Sequence, residues 1–288
     1  AIAGSRDHQV WLIGYRCDDT LWPVELGLPL CRNIRLIEGE IGTFLTFRTD
    51  VGIADVLALY RIWGADELEV FAQYLSPGMN AIDVGANIGH HSVAMARLVG
   101  PDGSVLAVEP QVEICRLLSA NLVTNGITNT RVERCLVGEC SGRASLSPID
   151  YSIAGNFGAV DVARTPVEGE QVSMKTLDEL VREYYNDEPV HFVKLDVQSF
   201  ELYVLRGAPN LLNTSRPVLY LEVSPYWMHL RGYEPREILV LLRAHNYAWR
   251  NLLPGQMELC DQPDWDGEMD VEWNLVAFPD RRTASDGV

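Results

Sequence analysis

From residue 80 onward the chain alternates short apolar runs with segments whose apolar residues recur at helical spacing. Asn80-Ala-Ile-Asp-Val84, Ser104-Val-Leu-Ala-Val108, Thr130 to Val137, His191-Phe-Val-Lys-Leu195 and Pro217-Val-Leu-Tyr-Leu221 are short, mostly apolar and bounded by turn residues, which predicts buried strands. Helical spacing predicts helices over 89–98, 112–124, 176–183, 200–212 and 235–245. In the second of these, Ile114, Leu117, Leu118 and Leu122 share one face and Asn125-Gly126 supplies the stop. An earlier helix is marked by Leu68, Phe71, Ala72 and Leu75, with Asp66 and Glu67 in the first turn, where the helix dipole favours acids. Tyr247 to Arg250 and Val271 to Phe278 predict a closing antiparallel hairpin joined by the acidic stretch 261–270. Repeated strand–helix alternation with apolar strands implies an α/β, doubly wound, mostly parallel Rossmann-like sheet covered on both faces. Ligands of such a sheet bind beyond the carboxyl ends of its strands.

Two stretches break the rhythm. Residues 1–64 are punctuated by Gly and Pro and contain one alternating run, Ile41 to Phe47, that predicts a strand or hairpin. They are expected to form an N-terminal extension to a domain spanning 65–288. Residues 138–172, with Gly142, Pro148, Gly155, Gly158, Pro166 and Gly169, read as a loop-rich insertion of the kind that carries substrate contacts.

Composition narrows the partners. The chain has 288 residues, 47% hydrophobic, with 23 Lys+Arg against 40 Asp+Glu for a formal charge of −17. That apolar content can offset chain entropy, so disorder is excluded, and the charge repels nucleic-acid backbones and anionic lipid. No apolar run approaches the ~18 residues of a membrane span. The opening Ala1-Ile-Ala-Gly-Ser-Arg-Asp7 lacks the basic and apolar regions of a secretory signal. Six cysteines without a CxxC pair read as reduced thiols, and a cytoplasmic location is the expectation. The expected partner is a small molecule, with no nucleic acid and no membrane, and a homodimer is left open.

The chemistry concentrates in Asp83-Val-Gly-Ala-Asn-Ile-Gly89, between the first of these strands and its helix. Gly85 suits the turn out of the strand, Gly89 a close approach of ligand to the helix start, and Asp83 an ammonium group. Glu109 ends the next strand, where a carboxylate can accept hydrogen bonds from both hydroxyls of a ribose. A dinucleotide calls for G-x-G-x-x-G to cradle its pyrophosphate. One glycine before the Asn, together with Asp83, fits the zwitterionic end of S-adenosylmethionine (SAM) better. An NAD(P)-dependent oxidoreductase is the rival reading, and an ordinary strand–helix turn the plain one.

This loop, with Val108-Glu109-Pro110, Val193-Lys-Leu-Asp196 and Phe200-Glu-Leu-Tyr-Val-Leu-Arg-Gly-Ala208, resembles the FkbM family of SAM-dependent methyltransferases over residues 67–222. The resemblance implies a seven-stranded class I methyltransferase sheet and O-methylation of a hydroxyl on a sugar, polyketide or other natural product. Family members carry Lys-Ile-Asp-Val-Glu-Gly-Phe-Glu in the second block. This chain has Gln198-Ser199 in place of Glu-Gly. That change keeps open a third reading, a binding protein without turnover.

The cofactor site expected from these readings comprises Asp83, Gly85, Ala86, Asn87, Gly89, His91, Glu109 and Asp196, with Pro110, Gln111 and Leu136 near the adenine. The catalytic candidates are Asp196, as base or orienter, and Glu222 and His229 lining the acceptor pocket. The plain alternatives are a helix cap for Asp196, a hydrogen-bonded histidine for His229 and packing for His90 and His91. Glu201 reads equally as an exposed first-turn acid. Asp196, Glu201 and Glu222 could gather Mg²⁺, but their spacing does not demand it and no metal is expected. Trp22, Trp63, Trp227, Trp265 and Trp273 are candidates for stacking on an acceptor.

Overall fold

The structure is a computed structural model that describes residues 33–159, 169–252 and 272–280. Trp22, Trp265, the acidic stretch 261–270 and the first half of the expected extension lie outside the described residues.

Seven strands form the main sheet: β3 (Asn80–Val84), β4 (Ser104–Val108), β5 (Thr130–Glu133), β9 (Phe192–Leu195), β10 (Val218–Val223), β11 (Tyr247–Leu252) and β12 (Trp273–Pro279). Their order is β11-β12-β10-β9-β3-β4-β5. The five central and right-hand strands are parallel, and β12 runs antiparallel to both of its neighbours. β11 therefore shares the direction of the parallel five, so the closing hairpin contributes one reversed strand rather than two. Alternate residues feed opposite faces, as strand geometry requires. Ile82, Val84, Leu106, Val193, Leu195, Leu219 and Leu221 enter one core, whereas Ala81, Val105, Phe192 and Tyr220 enter another. Helices α2 (Ala65–Tyr74) and α3 (His90–Val99) cover the second face, and α5 (Leu177–Tyr185), α6 (Glu201–Arg206), α7 (Pro209–Asn213) and α9 (Pro235–Ala244) the first. Strand order reverses between β3 and β9, so the crevice falls at their carboxyl ends.

The sequence expectations fail locally for stated reasons. Thr130 to Val137 is not one strand. It splits after Glu133, the last residue of β5 to pair with β4. Leu136–Val137 (β6) joins a second sheet instead, pairing with β8 (Glu170–Lys175), which pairs in turn with β7 (Gly142–Leu146). The supposed loop insertion thus contains strand structure. The expected helix 200–212 breaks into α6 and α7, with Pro209 opening the second. At the break, a β-carbon on Gly207 would lie 2.2 Å from the carbonyl oxygen of Gly138. Two helices escaped the periodicity altogether, α1 (Ile53–Tyr60) and α8 (Pro225–Arg231).

The N-terminal extension folds as an antiparallel hairpin, β1 (Ile34–Gly39) and β2 (Gly42–Phe47), followed by α1. The free edge of β2 is met by side-chain amides rather than by a strand. Asn121 on α4 (Val112–Thr124) and Asn125 at its C-cap, one turn apart, each accept from and donate to the backbone of Leu45 and Thr43 respectively. One helical turn of four residues rises about 6 Å, close to the span of about 6.8 Å for two strand residues, so the amides keep register with the edge. Asn121 is fully buried and also donates to the carbonyl of Ile88 at 2.8 Å. Asn121→Ala leaves the N–H and C=O of Leu45 unsatisfied and should lower unfolding stability by roughly 2–4 kcal/mol, read by urea denaturation.

Candidate active site

A cleft of about 770 Å³ opens at the strand-order reversal, walled by the loops after β3, β9 and β10. Gly85 turns out of β3 with φ +77°, and a β-carbon there would stand 1.9 Å from the carbonyl oxygen of Asp196. Only glycine permits that bend against that neighbour. Gly89 also has a positive φ, +88°, but its missing β-carbon makes room for Leu118, not for a ligand. Its role is to seat the start of α3 against α4.

The loop satisfies its own backbone. Gly85 and Ala86 donate to Val108 O, Gly89 donates to Ala86 O, Ile88 donates to Asn87 Oδ1, and Asn87 donates to Glu109 Oε2. All five N–H groups from 85 to 89 are engaged, which leaves none to cradle a pyrophosphate. A cofactor without phosphate suits this loop; a dinucleotide does not.

Glu109 is 3% exposed and takes one backbone bond on each oxygen, from Asn87 and Gln111, both at 3.0 Å. A carboxylate has about four lone-pair sites, so two remain for vicinal hydroxyls. Burial pushes its carboxyl up to about 7, against the opposing pull of those two N–H groups. A narrow slot lined by Pro110, Gln111, Cys135, Leu136 and Val137 leads off the cleft past Glu109. It is mostly apolar and lies where an adenine was expected.

Lys194 was missed as a site residue. It sits in register with Asp83 across β3 and β9, 2% exposed, with Nζ 3.2 Å from Asp83 Oδ1, 3.4 Å from Asp196 Oδ2 and 3.3 Å from Gly85 O. Burial pulls its ammonium down, but Asp83, Asp196 and Glu67 together outweigh that and hold it above the ordinary lysine value. The readable signal was a lysine inside one apolar strand matched to an aspartate inside its neighbour. Asp83, placed in the sequence reading against a ligand's ammonium, meets this internal one. Its second oxygen accepts from Ser92 at 2.6 Å, and the residue is fully buried beneath the cleft.

Below the floor, Glu67 of α2 is lifted to about 7, first by burial and then by Asp196. His90 and His91 line the cleft but are kept neutral by burial, His90 falling to about 3. Neither nitrogen of His90, nor Nε2 of His91, has a hydrogen-bond partner among the described residues. Buried orphan groups of this kind are what a bound ligand would satisfy.

The acceptor side gathers acids. Gln198 Nε2 bridges Asp196 Oδ1 and Glu222 Oε2, each at 3.4 Å. Asp196 and then burial hold the Glu222 carboxyl well above the ordinary range. Glu201, for which an exposed first-turn position was one of two equal readings, is fully buried, accepting from the N–H of Val197 at 3.0 Å and bracing the loop. His229, expected in the acceptor pocket, is not brought there. It is exposed on α8, with Nδ1 2.6 Å from Glu234. Trp227, two residues earlier, does line the cleft, as does Trp63. Among the described residues no group of three His, Cys, Asp or Glu has the geometry to hold a metal ion.

A scan of protein families matches residues 83–248, over half of the chain, to the Methyltransferase FkbM domain. The chain belongs to the FkbM methyltransferase family. Its cofactor is therefore SAM, in agreement with the phosphate-free loop. A protein-L-isoaspartate O-methyltransferase of Methanopyrus kandleri is 36% identical over 93 residues, 32% of this chain and 40% of that protein. The chain thus spans less than half the length of that curated relative. Among solved structures, a methyltransferase FkbM from Methylobacillus flagellatus KT shares 16% identity, covering 73% of this chain and 50% of that one, with a TM-score of 0.45. A SAM-dependent O-methyltransferase from Thermotoga maritima shares 13% identity over 86% of each chain, with a TM-score of 0.45. No helix among the described residues of this FkbM methyltransferase is long and apolar enough to cross a membrane.

The departure from the family pattern at 198–199 has a backbone cost. Gln198 and Ser199 sit at φ +52° and +66°, a region that disfavours any residue with a β-carbon. The Ser199 hydroxyl is buried without a partner among the described residues, so removing it forfeits no bond within them. Ser199→Gly should raise stability by about 0.5–1 kcal/mol, seen as a higher urea midpoint with unchanged slope.

Proposed function

We propose that this FkbM methyltransferase transfers the SAM methyl group to a hydroxyl of a small molecule, a sugar or polyketide-type natural product. The observation that carries the reading is the pair Asp196 and Glu222, joined through Gln198 on the cleft wall beside the glycine bend. An alcohol is a weak nucleophile at neutral pH and gains from a positioned base. SAM, when bound, supplies a methyl group already activated by its sulfonium. The chain must hold an oxygen in line with that methyl and remove its proton.

In this reading Glu109 holds the ribose, the slot past Pro110 and Leu136 holds the adenine, and the Gly85 bend faces the methionine portion. Asp196 hydrogen-bonds the acceptor hydroxyl, its other oxygen held by Lys194. Asp196 is placed to take the proton, and Glu222, whose carboxyl Asp196 and burial hold well above the ordinary range, stands beside it. Trp227 and Trp63 offer faces for a ring, and the cleft volume fits a small acceptor rather than a macromolecule.

Calorimetric titration with SAM, followed by transfer from labelled SAM to hydroxylated glycosides and polyketides, tests the reading. SAM binding without transfer to any hydroxyl would favour a binding protein. Glu109→Ala should weaken SAM binding by about tenfold or more while leaving the circular dichroism spectrum intact, as expected for loss of two hydrogen bonds to a charged acceptor. The pH dependence has a fixed sign. The Glu109 carboxyl titrates near 7, and only its ionised form can accept from both hydroxyls, so SAM affinity should rise as pH climbs through about 7. Asp196→Asn should lower kcat by about a hundredfold while changing SAM affinity far less, a split visible in parallel kinetics and calorimetry.

A further inference from the structure

The acceptor end of the cleft is built for positive charge. Asp196, Glu222 and Glu272 line it. Among the described residues, the Lys and Arg side chains that line the cleft are Lys194 and Arg231. Lys194 is shared between Asp83 and Asp196, and the Arg231 guanidinium lies 4.7 Å over the ring of Phe200. Glu201 and Glu67 lie behind the wall, and the charged groups that act most strongly on Glu222 are acids: Asp196, Glu201, Glu272 and Glu67. Glu272 accepts from the Ser224 hydroxyl, so its carboxylate is anchored at the mouth.

An acidic cluster alone would be a solvated surface. Here a buried polar group points to a ligand as well. Ser199, 2% exposed and lining the same cleft, has a hydroxyl with no hydrogen-bond partner among the described residues. It is held there on a left-handed backbone that disfavours its β-carbon. Trp227, which also lines the cleft, is 54% exposed, an aromatic face open to a ring or a cation. The acids do not simply repeat the cofactor site. Strand spacing of about 4.8 Å puts Glu222, two strands from β3, roughly 10 Å along the sheet from the Gly85 bend.

We infer that the methyl acceptor is a hydroxylated compound bearing a protonated amine, an amino sugar or aminocyclitol, whose ammonium is held by Glu222 and Glu272 while its ring lies against Trp227. The inference rests on the O-methyltransferase reading and names its substrate class. It also excludes acceptors carrying carboxylate or phosphate at this end, since like charge across a desolvated cleft disfavours them.

The test uses the full chain with S-adenosylhomocysteine bound, confirmed first by calorimetry, and three sugars that differ at one position: methyl glucosaminide, its N-acetyl derivative and methyl glucuronide. The amine should bind about tenfold more tightly than the N-acetyl sugar, and the glucuronide most weakly. Glu272→Gln should cut that amine preference to about threefold or less, which a merely structural role for Glu272 would not do. With S-adenosylhomocysteine bound, equal affinity for amine and N-acetyl sugar, tighter glucuronide binding, or binding of none of the three overturns the inference and leaves the methyltransferase reading standing. Failure of S-adenosylhomocysteine itself to bind would strike the cofactor assignments instead.

Discussion

Lys194 places a buried positive charge among the carboxylates of the cleft, and the geometry of the cleft depends on it. Its ammonium contacts Asp83 on β3, Asp196 after β9 and the carbonyl of Gly85. Those contacts span the two strands where the sheet order reverses. A buried ion pair contributes little net stability, because desolvation offsets attraction, but loss of one partner costs about 3–5 kcal/mol. Asp83 is thereby committed inside the protein, and one oxygen of Asp196 is fixed while the other remains oriented by Gln198. The Asp196 carboxylate on the cleft wall thus takes its position from Lys194 and Gln198.

The remaining acids are left to share protons. Glu67, Glu109 and Glu201 each titrate near 7 in the fold against an ordinary 4.5, chiefly because they are buried. Groups whose folded pKa is raised favour the folded state fully below about 4.5, and that contribution is lost as pH rises through about 7. Near neutral pH the site is therefore held at a cost in stability, which is usual where catalytic acids and bases are tuned by burial. A cationic ligand would recover part of that cost by neutralising the charges that repel one another.

The alternation of strands and helices was legible because parallel strands buried on both faces read as continuous apolar runs, and these seldom mislead. Helix α4 was found residue for residue, and Pro235 opened α9 as its fixed φ allows. What the pattern could not show were interactions set by distant chain. Nothing near Gly207 announces that Gly138 will crowd it, and nothing in Asn121 says that it will serve the edge of β2. Gly85, Glu109 and Asp196 came together in one cleft because their strands are neighbours in the sheet, which the motif spacing anticipated. His229 was drawn in by proximity to Glu222 in sequence, but Pro225 starts a helix there, which leaves Trp227 at the rim of the cleft and His229 outside it, against Glu234. Lys194 was overlooked because a single charge in an apolar strand looks like an edge residue until its partner across the ladder is known.

The N-terminal extension is bound into the same machinery rather than appended to it. Asn121 joins Leu45 of β2 to Ile88 of the glycine loop through a single amide. Ile53 at the start of α1 and Trp63 just beyond it form part of the cleft wall. The loop's position is set by these contacts, by its N–H bonds to Val108 and Glu109 at the end of β4, and by the packing of Gly89 on Leu118. Any displacement of the β1–β2 hairpin must therefore pull on α4, on the Ile88 carbonyl and on the bend at Gly85. A segment outside the matched residues 83–248 thus contacts the glycine loop, and Phe44 and Phe47 of the alternating run pack in one core with Ile88.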